Sequence, residues 1–134
     1  MKKAKIMIVE DEILIAVNLK VELSYRGYEI CDLLTSGEDA VKNVEHEKPD
    51  IVLMDIILNG KINGIEAARE IHSRYGIPII FVTGCQEEGT ISLAKKAVEH
   101  AEYLIKPVEI EDLKSVIENV LKKRGSGLGQ PVEP

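Results

Sequence analysis

The stretch that decides the fold is KIMIVEDE, residues 5–12, in which a short apolar run ends in three acidic residues. A run of Ile, Met and Val bounded by charge is typical of a strand that is buried on both faces of a parallel sheet. In such sheets, ligands bind just beyond the carboxyl ends of the strands. Glu10 and Asp11 therefore stand where a functional site is expected.

The remainder of the chain repeats this pattern, because short apolar runs alternate with longer amphipathic stretches five times. This alternation predicts an α/β domain built on a parallel sheet. Residues 36 and 39, Ser and Asp, form a variant of the N-capping pattern before the second helix. The predicted strands are 5–9, 29–33, 51–54, 79–82 and 103–105, and the predicted helices are 12–25, 37–47, 64–75, 87–99 and 110–123.

Length and charge limit the function. The 134 residues, 45% of them apolar, suit one domain, which we place at 1–124. Residues 125–134 have linker composition and predict a flexible C-terminal tail or a linker stub. The 17 basic and 23 acidic residues give a net charge of -6, which disfavours direct binding of nucleic acid or of an anionic membrane as the main activity.

Two further features of the sequence indicate the cellular compartment of the protein. The apolar run from Ile6 to Val9 is too short for a signal peptide or a membrane span. Cys31 and Cys85 lie far apart without a C-x-x-C arrangement, so they predict neither a disulfide framework nor a zinc site. We expect a protein of the reducing cytoplasm.

Polar residues follow four of the five predicted strands. Glu10 and Asp11 follow the first, Asp55 the third, Thr83 the fourth and Lys106 the fifth. In a flavodoxin-like, doubly wound sheet of strand order 2-1-3-4-5, the first and third strands are neighbours. That order brings together the carboxylates of Glu10, Asp11 and Asp55.

Three adjacent carboxylates repel one another unless a cation lies among them, and hard oxygen ligands suit Mg²⁺. Lys106 then neutralises part of the charge of an incoming phosphoryl group, and the Thr83 hydroxyl donates to it. The pattern predicts transfer of a phosphoryl group onto Asp55, whose carboxylate is the nucleophile and whose product is an aspartyl phosphate.

Five sequence fragments carry a family resemblance: VEDE at 9–12, LMDI at 53–56, NGIE at 63–66, VTG at 82–84 and YLIKP at 103–107. In this order and at nearly this spacing, they resemble the CheY-like receiver domains of two-component response regulators. The resemblance covers residues 5 to about 123. It implies a signalling domain in a phosphorelay, which is not an enzyme and catalyses only its own phosphorylation and dephosphorylation.

The resemblance also implies the ligands of the metal ion, Mg²⁺ or Mn²⁺. Asp11 is the expected direct ligand, and Glu10 acts mainly through bound water. Asp55 is both phosphoacceptor and ligand. The backbone carbonyl of Ile57 is the third protein ligand.

Further roles follow from the same resemblance. Thr83 and Tyr103 are the expected switch pair, Lys106 binds the phosphoryl oxygens, and the Lys106-Pro107 peptide is expected to be cis. The switch changes a partner-binding face formed by the fourth helix, fifth strand and fifth helix, through which a homodimer is also expected to form. The phosphodonor is a sensor histidine kinase or a phosphotransfer protein.

The sequence departs from the family pattern in one loop and at two variable positions. The loop from Asp55 to Gly64 is one residue longer than in the shortest members, and Asn59 stands near a position that often holds proline. Ile57 and Cys85 offer no carboxylate or amide to orient an attacking water. We hypothesise a long-lived phosphoryl state.

Alternative interpretations remain open from the residues alone. Asp11 by itself is readily a helix N-cap, and His46, His72 and His100 are expected at the surface. A phosphatase of the haloacid-dehalogenase type needs a second carboxylate where Ile57 stands. A flavodoxin needs a hydroxyl-rich phosphate loop after the first strand, and a third alternative is a receiver-like scaffold that is not phosphorylated.

Overall fold

A computed structural model of the protein describes residues 4–58 and 60–128, with backbone only for 125–128. Within them, five parallel strands form one sheet and are flanked by five helices. The strands are β1 (Lys5–Val9), β2 (Glu29–Ile30), β3 (Ile51–Met54), β4 (Ile79–Thr83) and β5 (Glu102–Ile105). The helices are α1 (Ile13–Tyr25), α2 (Gly37–Glu47), α3 (Gly64–Tyr75), α4 (Glu88–Ala97) and α5 (Ile110–Leu128).

The sheet has the order β2-β1-β3-β4-β5, which confirms the predicted flavodoxin-like doubly wound fold. β1 pairs with β3 so that Val9 lies opposite Met54. Because the two strands end in register, the residues that follow them, Glu10 and Asp55, emerge side by side at the carboxyl edge of the sheet. Thr83 lies opposite Ile105, which places the ends of β4 and β5 at the same edge.

Each face of the sheet carries its own apolar cluster. Met7 and Val9 of β1 pack with residues of α2, α3 and α4 on one face, and Ile6 and Ile8 pack with residues of α1 and α5 on the other. These four side chains are at most 1% exposed. Burial of both faces of β1 explains why its sequence is a continuous apolar run rather than an alternating one.

The boundaries of β1, β3, α2 and α3 agree residue for residue with the prediction, whereas edge strand β2 ends three residues early. Beyond Ile30 the backbone leaves the sheet after one hydrogen bond from Cys31 N to Ile6 O (2.9 Å). It returns only at Leu34, which forms an isolated bridge with Val9. An edge strand has a neighbour on one side only, so little holds it in regular pairing there.

Helix ends give further tests. The N-cap of α1 is Glu12, so the interpretation of Asp11 as that cap is wrong. The Ser36 hydroxyl accepts a hydrogen bond from the backbone N–H of Asp39 (3.2 Å) and caps α2, as predicted.

α5 continues to Leu128, five residues past its predicted end, because extending a formed helix costs less than starting one. Of the predicted tail, residues 129–134 lie outside the described part. No helix among the described residues has the length and apolar character to cross a membrane.

Candidate functional site

A cluster of three carboxylates lies at the carboxyl edge of the sheet, where β1 and β3 end. Glu10 and Asp55 are buried, with 3% and 6% of their surface exposed, and Asp11 is half-buried. One carboxylate oxygen from each lies within 4.8 Å of the other two. The structure therefore brings together the three acids that the strand order predicts as neighbours.

Lys106 enters this cluster from the end of β5. Its backbone N–H donates to Thr83 O (2.9 Å), which fixes the chain at this point. Its ammonium Nζ donates to Glu10 Oε1 (2.5 Å) and Asp55 Oδ2 (2.9 Å), and Glu12 Oε1 lies 3.9 Å away. The Lys106-Pro107 peptide bond is cis.

Charge is not balanced in the cluster, since one ammonium faces several carboxylates. Burial raises the pKa of Glu10, although Lys106 and the N–H of Glu12 act in the opposite direction. Burial alone would lower the pKa of Lys106, but its hydrogen bonds to Glu10 and Asp55 outweigh that effect and raise it. Lys106 is therefore an ammonium ion at neutral pH. The remaining negative charge and the hard oxygen ligands fit a divalent cation such as Mg²⁺.

The backbone around Asp55 is held tightly. Asp55 N donates to Val9 O (3.0 Å), and Asp55 Oδ1 accepts from Ile57 N (3.3 Å). Gly64, the first residue of α3, approaches so closely that an added Cβ would lie 1.9 Å from Asp55 O. The start of α3 therefore fixes the Asp55 backbone, while Asp55 Oδ2 bonds to Lys106.

Thr83 and Tyr103 lie on neighbouring strands beside the cluster. Thr83 is fully buried, and its Oγ1 accepts from Cys85 N (3.4 Å). The hydroxyl of half-buried Tyr103 donates to Cys85 O (2.9 Å), and its ring centroid lies 6.0 Å from that of Phe81. Burial, and then the neighbouring Cys85, raise the pKa of Tyr103 to about 12, so the hydroxyl remains a donor. Within residues 4–58 and 60–128, no hydrogen bond joins the Thr83 hydroxyl to Asp55 or Lys106.

The other candidate ligands lie elsewhere. His46 and His100 are exposed, and His72 Nδ1 lies 3.1 Å from Ile77 O. Among the described residues, the cluster of acids at the sheet edge is the one group of three or more His, Cys, Asp or Glu side chains close enough to share a metal ion.

An apolar stripe on α1, which the sequence did not single out, lies beside the site. It consists of Leu14, Val17, Val21 and Tyr25, which are 43–88% exposed and spaced by three or four residues, as one helix face requires. At its first turn, Leu14 and Pro107 line a groove of about 590 Å³ that Lys106 also borders. A helix that is apolar toward both core and solvent has no clear amphipathic period, so the exposed face is hidden in the sequence.

The sequence model of the family described as response regulator receiver domain matches residues 6–118 of the chain. The chain belongs to this family. Its members are receiver domains of two-component response regulators, which are phosphorylated on an aspartate and interact with histidine kinases. The match over nearly the whole domain excludes the haloacid-dehalogenase and flavodoxin alternatives.

One curated protein is similar to this chain in sequence. The transcriptional regulatory protein PdtaR of Mycobacterium tuberculosis is 39% identical over 114 residues, which are 85% of this chain and 55% of that protein. The chain thus spans about half the length of this curated relative.

Two solved structures are also similar. The signal receiver domain of a modulated diguanylate cyclase from Desulfovibrio desulfuricans has a TM-score of 0.86 and 35% identity, covering 92% of this chain and 98% of that one. A CheY-like receiver domain protein from Methanospirillum hungatei has a TM-score of 0.85 and 28% identity, covering 93% and 98%.

Proposed function

We propose that Asp55 is the phosphoacceptor of this receiver domain. The observation that carries the proposal is the burial of Asp55 at the end of β3, with Oδ2 on the Lys106 ammonium and two further carboxylates within 4.8 Å. A carboxylate oxygen of Asp55 attacks the phosphorus of a phosphohistidine; a P–O bond forms as the P–N bond breaks, and the imidazole leaves. The product is an aspartyl phosphate, which adds negative charge and strong acceptor oxygens beside Lys106.

The acidic cluster is proposed to hold Mg²⁺, or Mn²⁺ in its place. Asp11, Asp55 and the backbone carbonyl of Ile57 would be the protein ligands, and Glu10 would act mainly through bound water. The donor set fits, since it consists of hard oxygens and carries more negative charge than Lys106 neutralises. When bound, such an ion screens the attacking carboxylate from the incoming phosphoryl oxygens and stabilises the charge of the transition state.

Thr83 and Tyr103 form the proposed switch pair. The Thr83 hydroxyl, bonded here to Cys85 N, would turn toward the phosphoryl oxygens and draw the β4–α4 loop with it. The Tyr103 hydroxyl already bonds Cys85 O in the same loop, so a shift of either residue changes the surface around α4, β5 and α5. That surface is the proposed partner-binding face and the proposed homodimer contact.

We also propose that the phosphoryl group is long-lived. The side chains two residues after Asp55 and Thr83 are Ile57, which is 67% exposed, and Cys85, and neither orients water through a carboxylate or amide. Loss of the phosphoryl mass with a half-life of seconds in magnesium buffer would contradict this expectation.

The phosphodonor is proposed to be a sensor histidine kinase or a phosphotransfer protein that covers the α1 side of the pocket. Exposed apolar side chains on that rim, Leu14 foremost, would pack against the donor once its phosphohistidine reaches Asp55. Leu14→Glu should slow transfer from the protein donor about tenfold or more, since it places a charge in an apolar contact. Transfer from acetyl phosphate should be unchanged, and Tyr25→Glu, at the far end of the stripe, is the matched control.

The domain division is proposed as predicted, with the receiver unit at 1–124 and a linker or tail at 125–134, in a protein of the cytoplasm. The curated relative is about twice as long as the region that it shares with this chain. Limited proteolysis should leave a resistant core that ends within the last turn of α5, between residues 124 and 128.

Intact mass after incubation with acetyl phosphate and Mg²⁺ tests the central proposal. The wild type should gain about 80 Da in a labile form, and Asp55→Asn should gain nothing because the amide is not a nucleophile. Lys106→Ala should reduce the gain without abolishing the fold. If the wild type gains no mass with either the small donor or a partner kinase, the chain is instead a receiver-like scaffold.

A further inference from the structure

Glu38, in the first turn of α2, lies outside the acidic cluster but forms hydrogen bonds with the loop that follows Asp55. Its carboxylate accepts two backbone hydrogen bonds across the gap between α2 and this loop: Lys61 N donates to Oε2 (3.0 Å), and Ile62 N donates to Oε1 (3.3 Å). The residues are 23 and 24 positions apart in sequence, so the contact is tertiary. One side chain thus fastens two consecutive peptide groups.

The loop is shaped for this contact. Gly60 has φ +113°, a conformation that L side chains rarely adopt, and an added Cβ would lie 2.6 Å from Glu38 Oε1. Gly37 lets Ile62 approach on the other side, since its added Cβ would lie 2.9 Å from Ile62 Cγ1. Two glycines therefore allow the carboxylate and the loop backbone to meet.

The bonds also favour the charged carboxylate. Hydrogen bonds from the N–H of Lys61, and next those from Glu38 itself and Ile62, lower the pKa of Glu38. The helix N-terminus favours the same charge. Glu38 is therefore an anion at neutral pH, the stronger form of the acceptor.

The fastened segment is the one that carries Ile57. At its start, Asp55 Oδ1 accepts from Ile57 N, and at its end a capping box joins Asn63 and Glu66. Between these two points, Glu38 holds Lys61 and Ile62 through their N–H groups. The Ile56 carbonyl accepts from Gly64 N (2.8 Å) independently of Glu38. Without the Glu38 contact, the next carbonyl, that of Ile57, would be free to reorient.

We propose that Glu38 is a positioning residue for the metal site, which acts by fixing the β3–α3 loop so that the Ile57 carbonyl is preorganised as a ligand. This inference rests on the proposed metal-dependent function. It goes beyond it because Glu38 touches none of the proposed ligands. It assigns to α2 a part in a site otherwise built from the ends of the strands.

The test is Mg²⁺ binding by isothermal titration calorimetry, with phosphorylation by acetyl phosphate as a second readout. Glu38→Gln should weaken Mg²⁺ binding about tenfold, the lower end of the loss seen when a group that orients a ligand is removed. At saturating Mg²⁺ its phosphorylation rate should return to near the wild-type value. Hydrogen exchange should be faster in peptides that cover 56–63.

Asp39→Asn is the matched control, because Asp39 is an exposed carboxylate at the same helix N-terminus and the substitution removes the same charge. It should bind Mg²⁺ within about twofold of the wild type, since a solvated charge is well screened. Thermal unfolding establishes that each variant is folded; if Glu38→Gln is not, Glu38→Asp, which is one methylene too short to reach both N–H groups, carries the same test.

Each outcome decides the point. Equal Mg²⁺ affinity in wild type and Glu38→Gln overturns the positioning role and leaves the proposed function intact. Equal losses in Glu38→Gln and Asp39→Asn also overturn it, because charge alone then explains the effect. A wild type that binds Mg²⁺ but is phosphorylated by neither acetyl phosphate nor a partner kinase contradicts the proposed function, not the role of Glu38. A wild type that binds no Mg²⁺ overturns both.

Discussion

Two loops leave the carboxyl edge of the sheet on either side of Asp55, and they are held very differently. In the β3–α3 loop, 56–63, two backbone N–H groups donate to Glu38. At the end of this loop, Gly64 packs closely against the Asp55 backbone. The β4–α4 loop, 84–87, is held through Cys85, by one bond to the Tyr103 hydroxyl and a longer one to Thr83. The site is proposed both to bind a metal and to switch, and these two roles need one fixed side and one side that can be released.

The helices that follow the loops differ in the same direction. α3 begins with a capping box and buries four residues, Gly64, Ala67, Ala68 and Ile71. α4 buries Ala94, and among the described residues no side chain caps its N-terminus at Glu87. Fewer buried contacts and an uncapped end favour local opening, so α4 is the helix expected to move on switching.

The largest expected effect comes from adding one methyl group at Gly64, where the β3–α3 loop ends. Gly64→Ala should destabilise the protein by about 3 kcal/mol, because the new Cβ would lie 1.9 Å from Asp55 O and the backbone must shift. Gly84→Ala is the control, since its added Cβ meets no atom within 4 Å; its cost should be within about 0.5 kcal/mol. Urea denaturation measures both, and similar costs would mean that the two loops are equally confined.

A smaller effect is expected from Tyr103→Phe, which removes the bond to Cys85 O but keeps the ring against Phe81. The loss should be about 1 kcal/mol, the worth of a typical hydrogen bond. Hydrogen exchange should quicken in 84–87 and stay unchanged in 56–63. Tyr25→Phe, at an 88% exposed position, is the control for loss of a hydroxyl. Equal quickening in both loops would contradict their independence.

The parts of this site that the sequence predicted are those that follow from strand periodicity. Glu10 and Asp55 come directly after buried apolar runs, and parallel pairing alone places them together. Lys106 was predicted at the same edge, but its bonds to Glu10 and Asp55 depend on a side-chain path that no spacing encodes.

Glu38 was missed for a different reason. It lies in the first turn of a helix, where an acidic residue is already explained by the helix dipole. Its partners are backbone N–H groups, which every residue except proline carries, so no residue type marks them. The signals available were the glycines at positions 37 and 60, and glycines alone do not identify the side chain that approaches them. The early end of β2 was missed likewise, since Cys31, Asp32 and Leu33 alternate apolar and charged side chains, as a half-exposed edge strand does.

The smallest expected effect is the pH dependence of the Glu38 contact. It distinguishes this charged contact from the uncharged contacts of the same loop. The pKa of Glu38 is lower in the folded protein than in the unfolded chain, so its contribution to stability is fully present above the unfolded value, about 4.3, and is lost as pH falls through the folded value. The stability difference between wild type and Glu38→Gln should therefore be constant near neutral pH and should shrink below pH ~4.

Urea midpoints of the two proteins at a series of pH values measure this difference, and other titrating groups cancel because both proteins share them. Gly64→Ala serves as the contrast, since a steric clash has no charge and its cost should not follow the titration of Glu38. If the Glu38→Gln difference is the same at pH 3 as at pH 7, the ionised carboxylate is not what holds the β3–α3 loop. The contrast between a fastened loop and a releasable one would then rest on Gly64 and the capping box alone.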